Sequence, residues 1–596
     1  LLFYRTLLVA ITVTAAALVI SASANAATVT DLQATHRNGQ TFIVFTENGG
    51  AGLRTRYDVY RHTSPITNVS GLTKIATLDE DSGRLLYDDN PSIDYRTGQN
   101  LTTGFIISDL GSHLAANKGL LVWTTADRGC FYYAVTNSGD TAVNVGTNSL
   151  LSCVNETPQA VPGAILLSID SNYGGTGRLA RHYFAWEDYS TWQHSEWGYY
   201  GHRFTVLMPV GMAAPYPMTL VLHSAGDVGY HEPLGVTNDN TGVMLSARDL
   251  SFTGTKDPYT GTGYGYSKWT GRLNTATGLY MTVTENRIVR YAKLVRENAT
   301  GDSFDFQIDS TRIYIRGSSL GSNAMQVASH HGDLFAACEV SVGMINDDAW
   351  GAEPNNTEVA VNRGDGQTIA QYRDLAYQAA HGALIPIVHS PNQDDGALSV
   401  GAYPAAMKIF EIYHQPYAIQ WKAGNHAEFT IKSDFPQWDF RRFKTNEAYP
   451  AFSNASTSNT PEVRGQWGAR STDTNGQRNG YLDWGSELHP LGEHIEDSVN
   501  RFGITLKSIS VDTSADVTIR NTQQFRPNAG QRVEWRNELS GGGGNAQSGS
   551  TVADAQGLVT VRLQITAGGN RLTLSCAACT ASVALTAPKN LRQVFP

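Results

Sequence analysis

The chain is poor in charge and in cysteine. Of its 596 residues only 16% are charged, and the net charge is −10. No cluster of Lys and Arg could track a phosphate backbone, which argues against nucleic acid as a main partner. Five cysteines are present. Cys576 and Cys579 form one C-x-x-C, but no second pair completes a zinc site. No βαβ pattern surrounds them, as thioredoxin-like redox chemistry would require. They read as a small structural disulfide or as two free thiols. Cys130 and Cys153 lie in one N-terminal region and can pair in an oxidising compartment. Cys338, in the apolar "LFAACEVSVG", reads as a core residue. A complete calcium loop is also missing. "TDTNGQRNGYLD" carries Asp473, Asn475 and Asp483 without the required spacing, and reads as a turn.

Long apolar runs are equally scarce. The one that exists follows Arg5, "TLLVAITVTAAALVI", and ends before the A-x-A sequence Ala24-Asn25-Ala26. Residues 1–26 therefore read as a signal peptide cleaved near Ala26, and the mature chain is expected to be secreted, in the periplasm or outside the cell. No other run is long enough to cross a bilayer, so no stable membrane anchoring is expected.

What is present is a folded, β-rich composition, with 41% hydrophobic residues over a length too great for one core. Residues 27–162 show short β runs between turn residues, among them "TFIVFTE", "RYDVYRH", "GLLVWTT" and "CFYYAVTN", the pattern of a β-sandwich. "TVTDLQATHRNGQTFIVFTE" and "CFYYAVTN" resemble a fibronectin type III module. Residues 163–435 alternate strands with helices: "PMTLVLHSAG", "TENRIVRYAKLVREN", "RIYIRG", "AACEVSVGM", "IAQYRDLAYQAAH", "ALIPIVHS", "YPAAMKIFEIYHQ", "YAIQWKAG". That alternation predicts a mainly parallel sheet with helices on both faces and a ligand site at the carboxyl ends of the strands. Residues 436–596 turn β-like again and read as a C-terminal β domain.

The chemistry gathers around "RIYIR-GSSLG-SNAMQVASHH". A G-x-S-x-G string alone is weak. Here a strand precedes it, a helix-compatible run follows, and small residues allow a tight turn. Ser319 is the candidate nucleophile. A serine needs a base to take its proton and an acid to orient that base. After "ALIPIVHS" come Asp394 and Asp395; after "YAIQWKAG" comes His426. Each follows a strand's carboxyl end. His426 is the candidate base and Asp395 the preferred acid, with Asp394 the alternative. His414 ends a helix one strand too early and reads as structural. His330-His331 reads as a helix end and not a metal pair.

An oxyanion needs N–H donors. Leu320, following the nucleophile, supplies one. Ser224 or Ala225, in the loop "HSAGD", supplies the other. Candidate substrate contacts are His223, His389, and Tyr264, Tyr266 and Trp269 in the Gly-rich "KDPYTGTGYGYSKWTGR". In the aromatic stretch "YFAWEDYSTWQHSEWGYYGH", Trp186, Trp192, Trp197, Tyr199 and Tyr200 read mainly as packing against the N-terminal neighbour. The other reading is a platform for sugar rings or aromatic acyl groups.

The span from about Tyr200 to Phe429 resembles secreted α/β-hydrolase esterases of the feruloyl esterase, acetylxylan esterase and polyhydroxybutyrate depolymerase type. The matching pieces are "YYGHRFTVLMPVG", "YPMTLVLHSAG", "FDFQIDSTRIYIRGSSLGSNAM", "PIVHSPNQDD" and "WKAGNHAEF". The family often has a second glycine after the elbow, where this chain has Ser322. The resemblance implies a serine hydrolase without metal or organic cofactor, with Ser319 as nucleophile, His426 as base and Asp395 as acid. It implies an ester substrate, a polymer among the options, and a monomeric enzyme is expected. A serine peptidase, which shares the triad chemistry, and an inactive binding or adhesion protein are the rival readings.

Overall fold

The computed structural model describes residues 29–49, 55–80, 82–83, 104–186, 201–224, 239–247, 269–274, 279–346, 366–393, 395, 400–426, 435–459, 475–540 and 547–579. The architecture is multidomain: a mixed α/β core sheet stands between an N-terminal and a C-terminal β-rich domain.

The core sheet has ten strands: β1 (Ile165–Tyr173), β2 (Arg178–Trp186), β3 (Gly201–Leu207), β4 (Tyr216–Leu222), β5 (Val243–Ala247), β6 (Ile308–Ser318), β7 (Ala337–Ser341), β8 (Ile387–Ser390), β9 (Tyr417–Trp421) and β10 (Gly476–Arg478). Their order across the sheet is β1-β2-β3-β5-β4-β6-β7-β8-β9-β10. The six strands from β5 to β9 run parallel; β1 to β3 and β10 are antiparallel to their neighbours. The chain leaves β4 toward β5 on one side and later returns to place β6 on the other. That reversal opens a crevice at the carboxyl ends of β4 and β6, where open α/β sheets take their ligands. Strand β10 lies beyond residue 435, so the sheet draws its last strand from the C-terminal stretch.

Among the described residues there are five α-helices: α1 (Val283–Arg296), α2 (Ala324–His330), α3 (Ile369–Arg373), α4 (Leu375–His381) and α5 (Tyr403–Ile412). The run expected as one helix, "IAQYRDLAYQAAH", divides at Asp374, whose backbone is extended and whose carboxylate caps α4 at the N–H groups of Ala376 and Tyr377. An Asp prefers that role to a helix interior.

Alternation along the strands decides what each face meets. Met218, Leu220, Ile313, Ile315, Cys338, Val340, Ile387 and Ile419 pack with Ile288, Tyr291, Met325, Ala328, Leu375, Met407 and Phe410 of the helices. Cys338 is the buried core thiol the sequence suggests. Tyr314, Ala337, Val388 and Ala418 face the other way, and pack with Trp438, Phe440, Phe443 and Trp484. Helices were expected on both faces. Among the described residues they cover one, and part of the other is covered by the C-terminal β domain. Both arrangements demand apolar side chains on alternate positions, so strand sequences do not distinguish them. The Tyr314 hydroxyl reaches the carbonyls of Arg441 and Phe443, and the Thr445 N–H reaches the Thr311 carbonyl at 3.0 Å, which fastens the seam.

The N-terminal domain pairs a three-stranded sheet with a four-stranded one over a shared core of Phe42, Phe45, Leu120, Tyr57, Val59 and Tyr133. Cys130 and Cys153 form a disulfide there. Trp186, at the end of β2, belongs to this core: its ring meets Phe42 edge-on at 5.3 Å and its carbonyl accepts from Gln40 Nε2. The packing role expected of the aromatic stretch holds for Trp186; Trp192, Trp197, Tyr199 and Tyr200 lie outside the described residues. The C-terminal domain pairs a three-stranded sheet with a six-stranded one. Cys576 and Cys579 form the second disulfide.

Candidate active site

The turn after β6 is where local sequence and global fold meet. Ser319 has φ +54°, a left-handed state that a non-glycine residue adopts only under constraint. The flanking glycines explain how the turn is accommodated. A Cβ on Gly317 would lie 2.2 Å from the Gly321 carbonyl oxygen, and one on Gly321 would lie 2.2 Å from the Leu222 carbonyl oxygen. The end of β4 thus presses on the turn, and only glycine fits at both positions. A 3-10 turn, Ser319–Asn323, leads into α2. As the second residue of that turn, Leu320 has no intrahelical acceptor for its N–H.

Three side chains from three loops converge. Ser319 Oγ lies 2.8 Å from His426 Nε2, and His426 Nδ1 lies 2.8 Å from Asp395 Oδ2. Ser319 is half-buried, His426 is about a third exposed, and the Asp395 side chain is fully buried. A carboxylate accepts only, so Nδ1 carries the hydrogen and Nε2 is left to accept from the serine hydroxyl. The acid and base loops are strapped together: Asn392 Nδ2 donates to the Asn425 carbonyl at 2.9 Å, and the Gln393 N–H to the Lys422 carbonyl at 2.9 Å. From the C-terminal side, Asn475 Oδ1 accepts the Ala423 N–H at 3.0 Å. Asp394 lies outside the described residues.

The oxyanion candidates are partly in view. Leu320 is buried at the turn. Ser224 sits across the crevice, its hydroxyl 3.0 Å from both the carbonyl and the hydroxyl of Ser318. That side chain is engaged in joining β4 to β6, which leaves a backbone N–H as the donor this loop can offer. Ala225, Tyr264 and Tyr266 lie outside the described residues.

Two expected substrate contacts, Trp269 and His389, are buried. Trp269 is 0% exposed; its Nε1 donates to the His223 carbonyl at 3.3 Å and its ring meets the His223 ring edge-on. It backs the loop after β4 from within the protein. His389 is 1% exposed, its Nδ1 on the Val340 carbonyl at 2.9 Å and its Nε2 against the Tyr403 hydroxyl. Burial pushes its pKa down to about 4, so the ring is neutral. Both side chains are buried among partners from the protein itself. His223 is half-buried, its Nδ1 2.8 Å from the Ser224 carbonyl.

Other titratable residues have structural partners. His330 Nδ1 and His331 Nε2 each lie 2.9 Å from Glu285 Oε1, which also accepts from Tyr372. His414 Nδ1 lies 2.7 Å from Ser453 Oγ. Asp483 pairs with Arg442 at 2.7 Å. Among the described residues no group of three His, Cys, Asp or Glu side chains is arranged to hold a metal ion.

Sequence reasoning gave no place at the turn to Tyr403 or Val342 and noted Ser322 only as a departure from glycine. Tyr403 reads as one more apolar position at a helix start. Ser322 is fully buried, and its Oγ accepts the Met344 N–H at 3.0 Å.

No family model matches the chain, and no curated protein matches it. Solved structures do. An S-formylglutathione hydrolase from Agrobacterium tumefaciens shares 14% identity over 44% of this chain and 92% of that one, with a TM-score of 0.33. A substrate-bound, fluorophosphonate-binding serine hydrolase of Staphylococcus aureus shares 13% over 41% of this chain and 91% of that one, TM-score 0.27. The Pyrococcus horikoshii acylaminoacyl peptidase shares 11% over 67% of this chain, which spans 52% of that one, TM-score 0.27. Likenesses this remote carry no activity over to this chain.

Proposed function

We propose that the protein is a serine hydrolase of carboxylic esters, with Ser319 as nucleophile, His426 as general base and acid, and Asp395 as the group that orients His426. The observation carrying this reading is the unbroken hydrogen-bonded line Ser319–His426–Asp395 on a left-handed turn at the carboxyl edge of a parallel sheet. In this reaction Ser319 Oγ attacks the ester carbonyl carbon as its proton passes to His426 Nε2. Asp395, buried beside Nδ1, stabilises the imidazolium. The carbonyl oxygen becomes an oxyanion, met by the Leu320 N–H and by an N–H of Ser224 or Ala225. Collapse breaks the bond to the alcohol, which leaves with the proton from His426. Water, deprotonated by the same histidine, then attacks the acyl-enzyme and releases the acid and Ser319.

The finer reading keeps the resemblance to feruloyl esterase, acetylxylan esterase and polyhydroxybutyrate depolymerase types, with polymer esters as substrates. In it residues 27–162 are a fibronectin type III-like module, residues 163–435 the catalytic domain and residues 436–596 a C-terminal β domain. Export fits the two disulfides, since such bonds persist in oxidising compartments. Among the described residues no helix is long and apolar enough to cross a membrane. A hydrolysis panel tests the substrate class: feruloyl and acetyl sugars, p-nitrophenyl esters, polyhydroxybutyrate and an aromatic polyester, with matched amides. Faster cleavage of esters than of matched amides is expected; the opposite ranking overturns the esterase reading in favour of a peptidase.

A further inference from the structure

The segment after β7, Val342-Gly343-Met344, grips the nucleophile turn at two points. The Val342 carbonyl accepts the Ser319 N–H at 3.0 Å, and Ser322 Oγ accepts the Met344 N–H at 3.0 Å. Val342 has φ +39°, a state that β-branched residues avoid at a cost of about 1–3 kcal/mol. In that state its N–H bonds the Ser390 carbonyl at 3.0 Å while its own carbonyl serves Ser319. A Cβ on Gly343 would lie 2.7 Å from Ser322 Cβ, 2.8 Å from Val340 Cγ1 and 3.0 Å from His389 Cε1, so the segment is packed tightly between the nucleophile turn and β8.

Strain of this kind persists only where neighbours over-determine it. Two buried side chains do so here. His389 Nδ1 donates to the Val340 carbonyl, two residues before the strained one, and a neutral imidazole donating at one nitrogen accepts at the other. The Tyr403 hydroxyl lies against that second nitrogen and 2.8 Å from the Gly343 carbonyl oxygen, just after the strained residue; its single hydrogen is shared between these two acceptors. The two rings stack with centroids 5.2 Å apart. Tyr403 comes from α5 and His389 from β8, so together they clamp Val342 from both sides along the chain.

We infer that Tyr403 and His389 are positioning residues for Ser319, holding Val342–Met344 in the one backbone state that presents the Val342 carbonyl to the Ser319 N–H. The inference rests on the reading of Ser319 as nucleophile. Neither side chain has to touch substrate for this role, so its signature is a loss in turnover without a loss in binding.

The test uses the full-length protein and a soluble p-nitrophenyl ester, with active sites counted by the endpoint of fluorophosphonate labelling. Tyr403→Phe keeps the ring and removes the hydroxyl; Ser322→Ala removes the acceptor for Met344. Each is expected to lower kcat per labelled site about tenfold with KM unchanged within about twofold. Because both act through one segment, the double variant is expected to lose about twentyfold, well short of the about hundredfold of independent effects. A merely structural role lowers the number of labelled sites and leaves kcat per site unchanged, and that result overturns the inference. So does a KM that rises in step with the fall in kcat, or a multiplicative double variant. Should Tyr403→Phe fail to fold, His389→Gln, read in the same way, carries the test. Ser319→Ala, measured alongside, separates the two levels. If it keeps wild-type turnover, the nucleophile reading and this inference both fall. If it abolishes turnover while Tyr403→Phe is silent, only this inference falls.

Discussion

Ser319 Oγ stands 2.8 Å from His426 Nε2, although 107 residues of chain separate them. The sheet closes that gap: β6 ends at the serine turn, β9 ends just before the histidine loop, and β7 and β8 fill the space between. Asp395, after β8, completes the line, so every member follows the carboxyl end of a parallel strand.

That arrangement makes the acid testable. Asp395→Asn puts an amide donor where Nδ1–H needs an acceptor, which favours the wrong imidazole tautomer. Activity at neutral pH should fall by about three to four orders of magnitude while the melting temperature changes little. Asp394→Asn is expected to cost far less. Steady-state kinetics on both variants checks this, and the reverse ranking moves the acid to Asp394.

The glycines of the turn make a packing prediction. Gly321→Ala drives a Cβ to 2.2 Å from the Leu222 carbonyl oxygen, backbone against backbone, where no side chain can swing aside. Destabilisation of about 1–3 kcal/mol is expected, with turnover lost as β4 and the nucleophile turn move apart. Thermal denaturation and kcat together check it; a variant with both unchanged contradicts the packing described.

How much of this was legible in the sequence differs by residue. Ser319 and His426 stood out because strand, turn and helix signals bracket the first and a strand end precedes the second. Asp394 and Asp395 are adjacent carboxylates, and the sequence favours Asp395 only by the "DGAL" run that it begins; the hydrogen bond from His426 to Asp395 is a property of the folded loops. Trp269 and His389 follow or flank the strand ends that frame the site in sequence, but their burial is a property of the packed chain. The strands carrying Tyr314, Val388 and Ala418 announce that both faces are covered. They do not announce that Trp438, Phe440 and Phe443, from beyond residue 435, do part of the covering.

That seam predicts the fate of a truncated chain. Ending the protein at residue 435 strips the partners from Tyr314, Ala337, Val388 and Ala418, and removes β10 from the sheet edge. Exposing large buried side chains costs about 1.5–3 kcal/mol each and leaves an adhesive face. The shortened protein should aggregate on size-exclusion chromatography and bind an apolar dye. A soluble monomer with wild-type turnover on small esters would show that the C-terminal domain is dispensable to the fold.

The same seam is expected to respond to pH. Arg316 pairs with Asp239 at 2.9 Å and with Glu339 at 3.5 Å, while Arg441 pairs with Asp439 at 2.7 Å and approaches Asp239 at 3.6 Å. Three carboxylates face two cations, so one carboxylate is in surplus. Glu339 is the most buried candidate for the surplus, and burial pushes its pKa up to about 7. Because the folded value is raised, the folded protein binds a proton more tightly than the unfolded chain between about pH 4.5 and 7. Stability tied to this group is therefore full below about pH 4.5 and lost as pH rises through about 7, by at most about 3 kcal/mol. Glu339→Gln should remove that slope. Melting temperatures at stepped pH values check it, and an identical slope in variant and wild type contradicts it.

The most direct test of the central claim is the covalent one. Wild-type protein is treated with a fluorophosphonate and digested, and the modified residue is located by mass spectrometry while hydrolysis is followed. The expected result is a single adduct on Ser319 whose formation tracks the loss of activity, with no adduct and a loss of several orders of magnitude in turnover for Ser319→Ala. An adduct on another residue, or a Ser319→Ala protein that keeps more than about a tenth of the wild-type rate, contradicts the assignment of Ser319 as the nucleophile.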